Sequence, residues 1–226
     1  MPKLAIIHTT PATIEPLKAL ANDVLPGVTV INFVDDSILP QLRDNGGNLN
    51  DVTDRLVQYA VFAQQVGANV ILNACSSVGP VVDAMQANVS VPVVRMDDAM
   101  TARAVTLGER IGVAATLATT LDPTLKLLHA KASQANKNRS NPQTQFVPHL
   151  IDSAYEKLLA GNAQGHDEDL VQALTALAAQ TDVVVLAQAS MARVVSQLPA
   201  EQQDRFLTSP RLGMECVKAA LNGTDY

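Results

Sequence analysis

Part of this chain occurs twice in outline. Residues 4–20, LAIIHTTPATIEPLKAL, lie without gaps on residues 111–127, IGVAATLATTLDPTLKL, so that Thr9 meets Thr116, Thr13 meets Thr120, Pro16 meets Pro123 and Leu20 meets Leu127. Residues 69–77, NVILNACSS, match 182–190, DVVVLAQAS, in the same chain order, which lays Cys75 on Gln188 and Ser77 on Ser190. A strand, a Thr-bearing loop and a helix, followed later by a strand ending in small polar residues, constrain the chain to two similar α/β units. If an approximate two-fold axis relates the halves, these strand tips face each other across a cleft. Tips of parallel strands are where α/β proteins bind their ligands.

The interior that such units need has to come from aliphatic residues. Of the 226 residues 47% are hydrophobic but only 3% aromatic, with no Trp. Val- and Ile-rich runs suit parallel strands covered on both faces by helices. A formal charge of −6 gives no pull toward nucleic acid or anionic lipid. The apolar run Leu4–Ile7 is too short for a signal segment, and no stretch approaches the roughly 18 apolar residues of a membrane span. Two cysteines make no disulfide framework. A cytoplasmic protein is therefore expected, without nucleic-acid or membrane partners.

Strands are expected at 4–8, 28–34, 69–75 and 91–96, with helices at 13–24 and 51–66, one leading on from the Cys75 strand through Met85, and one after Asp97-Asp98 to about 107. Pro16 falls in the first turn of its helix, where its missing N–H costs little. The polar, Gly-rich segment 43–50 reads as a loop with room for a flap. In the second half, strands are expected at 111–115, 145–148 and 182–187, and helices at 121–130, 151–160, 166–180 and 210–220. A polar linker runs from Lys131 through Pro142, with its first residues open to extending the preceding helix.

Cys75 follows a strand and precedes a helix, a position that lowers a thiol pKa toward neutrality when the sulfur is accessible. Its neighbours Asn73, Ser76 and Ser77 are costly to bury without partners, which argues against a purely structural thiol. Cys216, in the tail helix, reads as packing. Backbone donors after Cys75, with the Ser76 and Ser77 hydroxyls, form a candidate seat for a small carboxylate, and Thr116, Thr119 and Thr120 offer the same in the second half. Ordinary helix capping explains these hydroxyls equally well. His8, ending the first strand beside Thr9, is a candidate proton donor or orienting group. The Arg95, Asp97, Asp98 group is either a buried ion pair or a substrate contact. His129, His149 and His166 have no ligand spacing, so no metal is expected. The glycine-rich and nucleophile motifs of dinucleotide, phosphoryl and α/β-hydrolase sites do not occur, and no cofactor is expected.

LAIIHTT (4–10), ILNACSSVG (71–79) and VVVLAQASM (183–191) together resemble the aspartate/glutamate racemase superfamily, which includes hydantoin racemases, maleate isomerases and arylmalonate decarboxylases. The resemblance spans essentially the whole chain. It implies a cofactor-independent homodimeric enzyme acting at the carbon α to the carboxylate of a small metabolite. It also implies two αβα lobes, residues 1–97 with 207–226 and residues 98–206, the C-terminal helix returning to the first lobe. Family racemases place one cysteine per lobe on either side of the α-carbon; Cys75 resembles the first. The second position is held by Gln188, flanked by Ala189 and Ser190, and an amide cannot exchange a proton in that way. One thiol suffices for a decarboxylase that protonates an enediolate from one face, with Gln188 donating to the oxygen where charge develops. Covalent attack by Cys75, epimerisation with His8 as a second acid, and a non-catalytic carboxylate-binding protein remain open alternatives.

Overall fold

The computed structural model describes residues 1–136 and 144–224 and divides the chain into two units, Met1–Ala99 with Pro210–Tyr226, and Met100–Ser209. The first unit carries β1 (Lys3–His8), α1 (Ile14–Val24), β2 (Thr29–Val34), α2 (Ile38–Asp44), α3 (Asn50–Gln65) and β3 (Val70–Asn73). A 3₁₀ segment (Ser76–Val81), α4 (Val82–Gln86) and β4 (Val93–Arg95) follow, and α5 (Asp98–Leu107) starts at the boundary. The four strands form one parallel sheet in the order β2-β1-β3-β4. The sheet core follows from the spacing of its helices. On α3 the buried residues are Val52, Leu56, Ala60 and Ala63, one stripe at helical period. That stripe covers Ala5, Ile7 and Ile71 of the central strands, joined by Ile38, Leu42, Val78 and Met85. Each fully buried Leu or Ile contributes about 1.5–3 kcal/mol.

The second unit comprises β5 (Arg110–Ala115), α6 (Ala118–Asn136), β6 (Gln145–Leu150), α7 (Asp152–Leu159), α8 (Ala163–Ala178) and β7 (Val183–Leu186). Two 3₁₀ segments (Ala189–Gln197 and Ala200–Arg205) and β8 (Phe206–Thr208) complete it, and α9 (Ser209–Leu221) leads back into the first unit. Its sheet is again parallel, in the order β6-β5-β7-β8. Leu170, Leu174, Leu177 and Ala178 of α8 pack on Ala114, Val184 and Leu186.

The repeat read from the sequence is therefore a repeat of topology and of register. Leu4 pairs with Val70 in the first sheet, and their counterparts Ile111 and Val183 pair in the second. Several boundaries differ from expectation. Arg43 and Asp44 close α2 rather than opening a loop, so the Gly-rich connection shrinks to residues 45–49. Residues 131–136 extend α6, the alternative left open for the start of the linker, and the remainder of that linker, 137–142, lies outside the described residues. Val91 and Pro92 precede β4, where the Pro92 carbonyl still accepts from the Ile71 N–H at 2.9 Å. α9 approaches Met96 so closely that a Cβ on Gly213 would lie 2.7 Å from the Met96 carbonyl oxygen, which only glycine allows. Among the described residues no helix is long and apolar enough to cross a membrane.

Candidate active site

Cys75 sits two residues beyond the end of β3. The strand ladder continues through Ala74, whose N–H donates to the Ile7 carbonyl at 3.0 Å, and Cys75 keeps an extended backbone (φ −129°, ψ 117°). Val78 N–H then donates to the Cys75 carbonyl at 3.3 Å and opens the 3₁₀ segment. By strand alternation Cys75 shares the face of Ile71 and Asn73, and it packs against the α3-side core. Around the half-buried sulfur stand the Thr9 hydroxyl, the Val78 and Ser77 backbone N–H groups and the Ser77 hydroxyl. Thr9, Ser76 and Ser77 are themselves buried.

Burial pushes the Cys75 thiol pKa up, and the four donors, Thr9 first, oppose it without prevailing. This corrects the expectation of a thiol lowered toward neutrality by a following helix. The following element is a 3₁₀ segment of six residues, too short for an appreciable macrodipole, and desolvation is the larger effect. Cys75 is accordingly an acid in the resting protein. Once the proton has left, its thiolate is met by fixed donors.

Asn73 holds this tip from within. It is 1% exposed, and its Nδ2 donates to the Cys75 carbonyl at 3.3 Å, which fixes the amide's orientation. Its Oδ1 is buried without a hydrogen-bond partner among the described residues. His8 lies on the other face of the sheet, fully buried, with Nδ1 2.7 Å from Thr13 Oγ1 and Nε2 2.9 Å from Asn32 Oδ1. Both ring nitrogens are engaged within the unit, and burial lowers the His8 pKa against the opposing Asn32 contact. The folded state thus favours the neutral ring, whereas the unfolded chain takes up a proton as pH falls through 6.5. The stability that His8 contributes is present above that pH and lost on acidification. Urea midpoints between pH 8 and 5 are expected to fall less steeply in His8→Gln than in the wild type; equal slopes would contradict this role.

Arg95 and Asp97 form a bidentate pair, Nε to Oδ1 at 2.6 Å and Nη2 to Oδ2 at 3.1 Å, with Asp97 1% exposed. The Arg95 guanidinium lies against Gly79, where a Cβ would fall 2.5 Å from Cζ. The ion pair thereby props the 3₁₀ segment that presents Ser77 and Val78 to the thiol.

The second unit repeats this tip with different chemistry. Ala187 N–H donates to the Ala114 carbonyl at 2.9 Å, Gln188 is extended (φ −119°, ψ 135°), and Met191 N–H donates to the Gln188 carbonyl at 3.0 Å. Thr116, the counterpart of Thr9, donates to Gln188 Oε1 from its backbone N–H at 2.6 Å and from its hydroxyl at 3.0 Å. Thr119 and Thr120 lie in the first turn of α6, and the buried Thr120 accepts at its carbonyl from the Thr124 hydroxyl. Ala189 is half-buried and Ser190 exposed at the start of the 3₁₀ segment. Cys216 is buried in α9. The structure thus gathers Thr9, Asn73, Cys75 and Ser77 at one tip and Thr116 with Gln188 at the other. Among the described residues no group of three or more His, Cys, Asp or Glu is placed to hold a metal ion.

The family model for Asp/Glu/hydantoin racemases matches residues 5–217. The chain belongs to the Asp/Glu/hydantoin racemase family. Membership sets it among enzymes of the racemase and isomerase type. Solved structures of similar fold include allantoin racemase from Klebsiella pneumoniae, at 17% identity and TM-score 0.66, with 100% of this chain and 90% of that one covered. A glutamate racemase isoform from Bacillus anthracis matches at 14% identity and TM-score 0.74, over 98% and 82% of the two chains. A glycine-to-cysteine mutant of arylmalonate decarboxylase matches at 16% identity and TM-score 0.53, over 98% and 94%. At such identities the likeness is one of fold. No curated protein matches the sequence. What sequence reasoning missed in this racemase-family chain is the support of the tip: Asn32 and Thr13 on His8, and Gly79 under Arg95. A glycine one residue before Pro80, within an otherwise packed run, is the only local signal of that close approach.

Proposed function

We propose that this chain is a cofactor-independent enzyme that moves a proton at the carbon α to the carboxylate of a small acid, with Cys75 as the proton-carrying group. The observation that carries the reading is the ring of donors, Thr9, Ser77 and Val78, around a thiol that burial keeps protonated. As the minor thiolate, held by these donors, the sulfur takes the α-proton and leaves the C–H electron pair in an enediolate; as the thiol it returns a proton to that carbon. Thr9 and Ser77 act on the sulfur directly, Asn73, bonded to the Cys75 carbonyl, is a positioning residue, and His8, whose ring nitrogens meet Thr13 and Asn32, has a structural role. Ser76, Thr119, Thr120, Ala189 and Ser190 are assigned to substrate binding.

A second reading draws on the protonated thiol together with the resemblance that lays Gln188 on the family's second cysteine. A thiol protonated at rest, with an amide where the family motif has its second cysteine, suits one-sided protonation after loss of a carboxylate. In that reading the enzyme is a decarboxylase: the C–C bond breaks, CO2 leaves, its electron pair forms the enediolate, and Cys75 delivers one proton to carbon.

Alkylation by iodoacetamide, read by peptide mass spectrometry, tests the site. Cys75 is expected to react only as pH rises above the ordinary thiol range, and small carboxylic acids that bind the enzyme are expected to slow it. Preferential labelling of Cys216, or Cys75 labelling already complete near neutral pH, would contradict the assignment.

A further inference from the structure

The backbone at Gln188 matches that at Cys75 in its torsions, in the strand hydrogen bond just before it and in the bond that opens the following 3₁₀ segment. Each tip also has the equivalent threonine beside its side chain, Thr9 for the sulfur and Thr116 for the amide. The difference lies in what each tip can offer. A thiol accepts or releases a proton. At Gln188 the Oε1 accepts two hydrogen bonds from Thr116, the full capacity of a carbonyl oxygen. The amide therefore cannot turn over without losing both bonds, and Oε1 has no lone pair left for a ligand N–H. Among the described residues Nε2 has no protein partner, and Gln188 is half-buried rather than exposed.

We infer that Gln188, locked by Thr116, is a carboxylate-binding residue whose Nε2 group donates to oxyanions and rejects ammonium groups. The tip is a specificity determinant: it requires an oxygen-bearing anionic group on the ligand and offers no acceptor to an amino group. Thr116 is a positioning residue acting through Gln188. The inference rests on the small-acid reading above but not on the identity of the reaction, because it concerns binding.

Isothermal titration of the full chain with malonate and with ethylammonium tests it. Malonate is expected to bind and ethylammonium not to bind. Glu in the Gln188→Glu variant still accepts from Thr116 but turns a donor into a repelling oxygen, so malonate affinity is expected to fall by about tenfold or more. Thr116→Val keeps the backbone bond and loses the hydroxyl bond; a loss of roughly threefold to tenfold is expected, restored by Thr116→Ser. Circular dichroism verifies folding, and if Gln188→Glu fails to fold, the Thr116 pair decides alone. Wild-type binding of ethylammonium, absence of malonate binding, or equal malonate affinity in the variants would overturn the inference. If Cys75→Ala binds malonate normally while the wild type turns over no small acid, the proposed reaction fails and the carboxylate site stands.

Discussion

Cys75→Ser is expected to lower turnover of the true substrate by about 10²–10⁴-fold, the range that a positioned acid–base group supplies. The hydroxyl preserves the approximate shape and the hydrogen bonds at the tip, but its proton is far less acidic than that of a thiol, even one whose pKa burial has raised. Because Thr9, Ser77 and Val78 still surround the position, folding and ligand affinity are expected to change little. The kcat/KM of the variant, measured beside its urea midpoint, separates the two effects. A drop carried mainly by KM, or a variant that retains most of its activity, would show that the thiol is not the proton carrier.

The second large effect falls on stability. Asp97→Ala leaves the Arg95 guanidinium, only 14% exposed, without its bidentate partner, and breaking a buried pair from one side costs about 3–5 kcal/mol. Denaturant titration is expected to show that loss. The exposed pair Arg43–Asp44, with side chains 56% and 71% accessible, is the contrast: Asp44→Ala is expected to change stability by less than about 0.5 kcal/mol. Because Arg95 packs on Gly79, Asp97→Ala should also loosen the segment carrying Ser77 and lower activity in parallel. Equal stability of the two variants would contradict the structural role of the Arg95–Asp97 pair.

The repeat was legible because it is written in strands with long aliphatic runs. β1 and β5 begin and end at equivalent positions under one constant offset, and β3 and β7 do so under another. Short elements were not legible. β8 has three residues, Phe206–Thr208, after a polar run, and becomes a strand only by pairing with β7. α2 has seven residues and contains Pro40, and its burial through Ile38 and Leu42 is decided by the core it meets. At the site, strand-tip position pointed to Cys75 and Gln188, since it depends on local pattern. The direction of the Cys75 pKa did not follow from local pattern, because the residues that desolvate the sulfur come from elements distant in sequence. The same holds for His8: its place at a strand end is legible, but the partners Asn32 and Thr13 that occupy its ring depend on strand order and helix placement.

The most direct test of the central claim, that Cys75 carries the proton, is proton NMR in D2O of the wild type and Cys75→Ala with a panel of small amino, hydroxy, keto and malonic acids. The account predicts that at least one acid incorporates deuterium at the carbon α to its carboxylate with the wild type and not with the variant. Retained carbon would indicate racemase or isomerase chemistry, and loss of one carboxylate with one deuterium gained would indicate the decarboxylase. Deuterium incorporation that survives in Cys75→Ala, or none with any acid in the wild type, would contradict it.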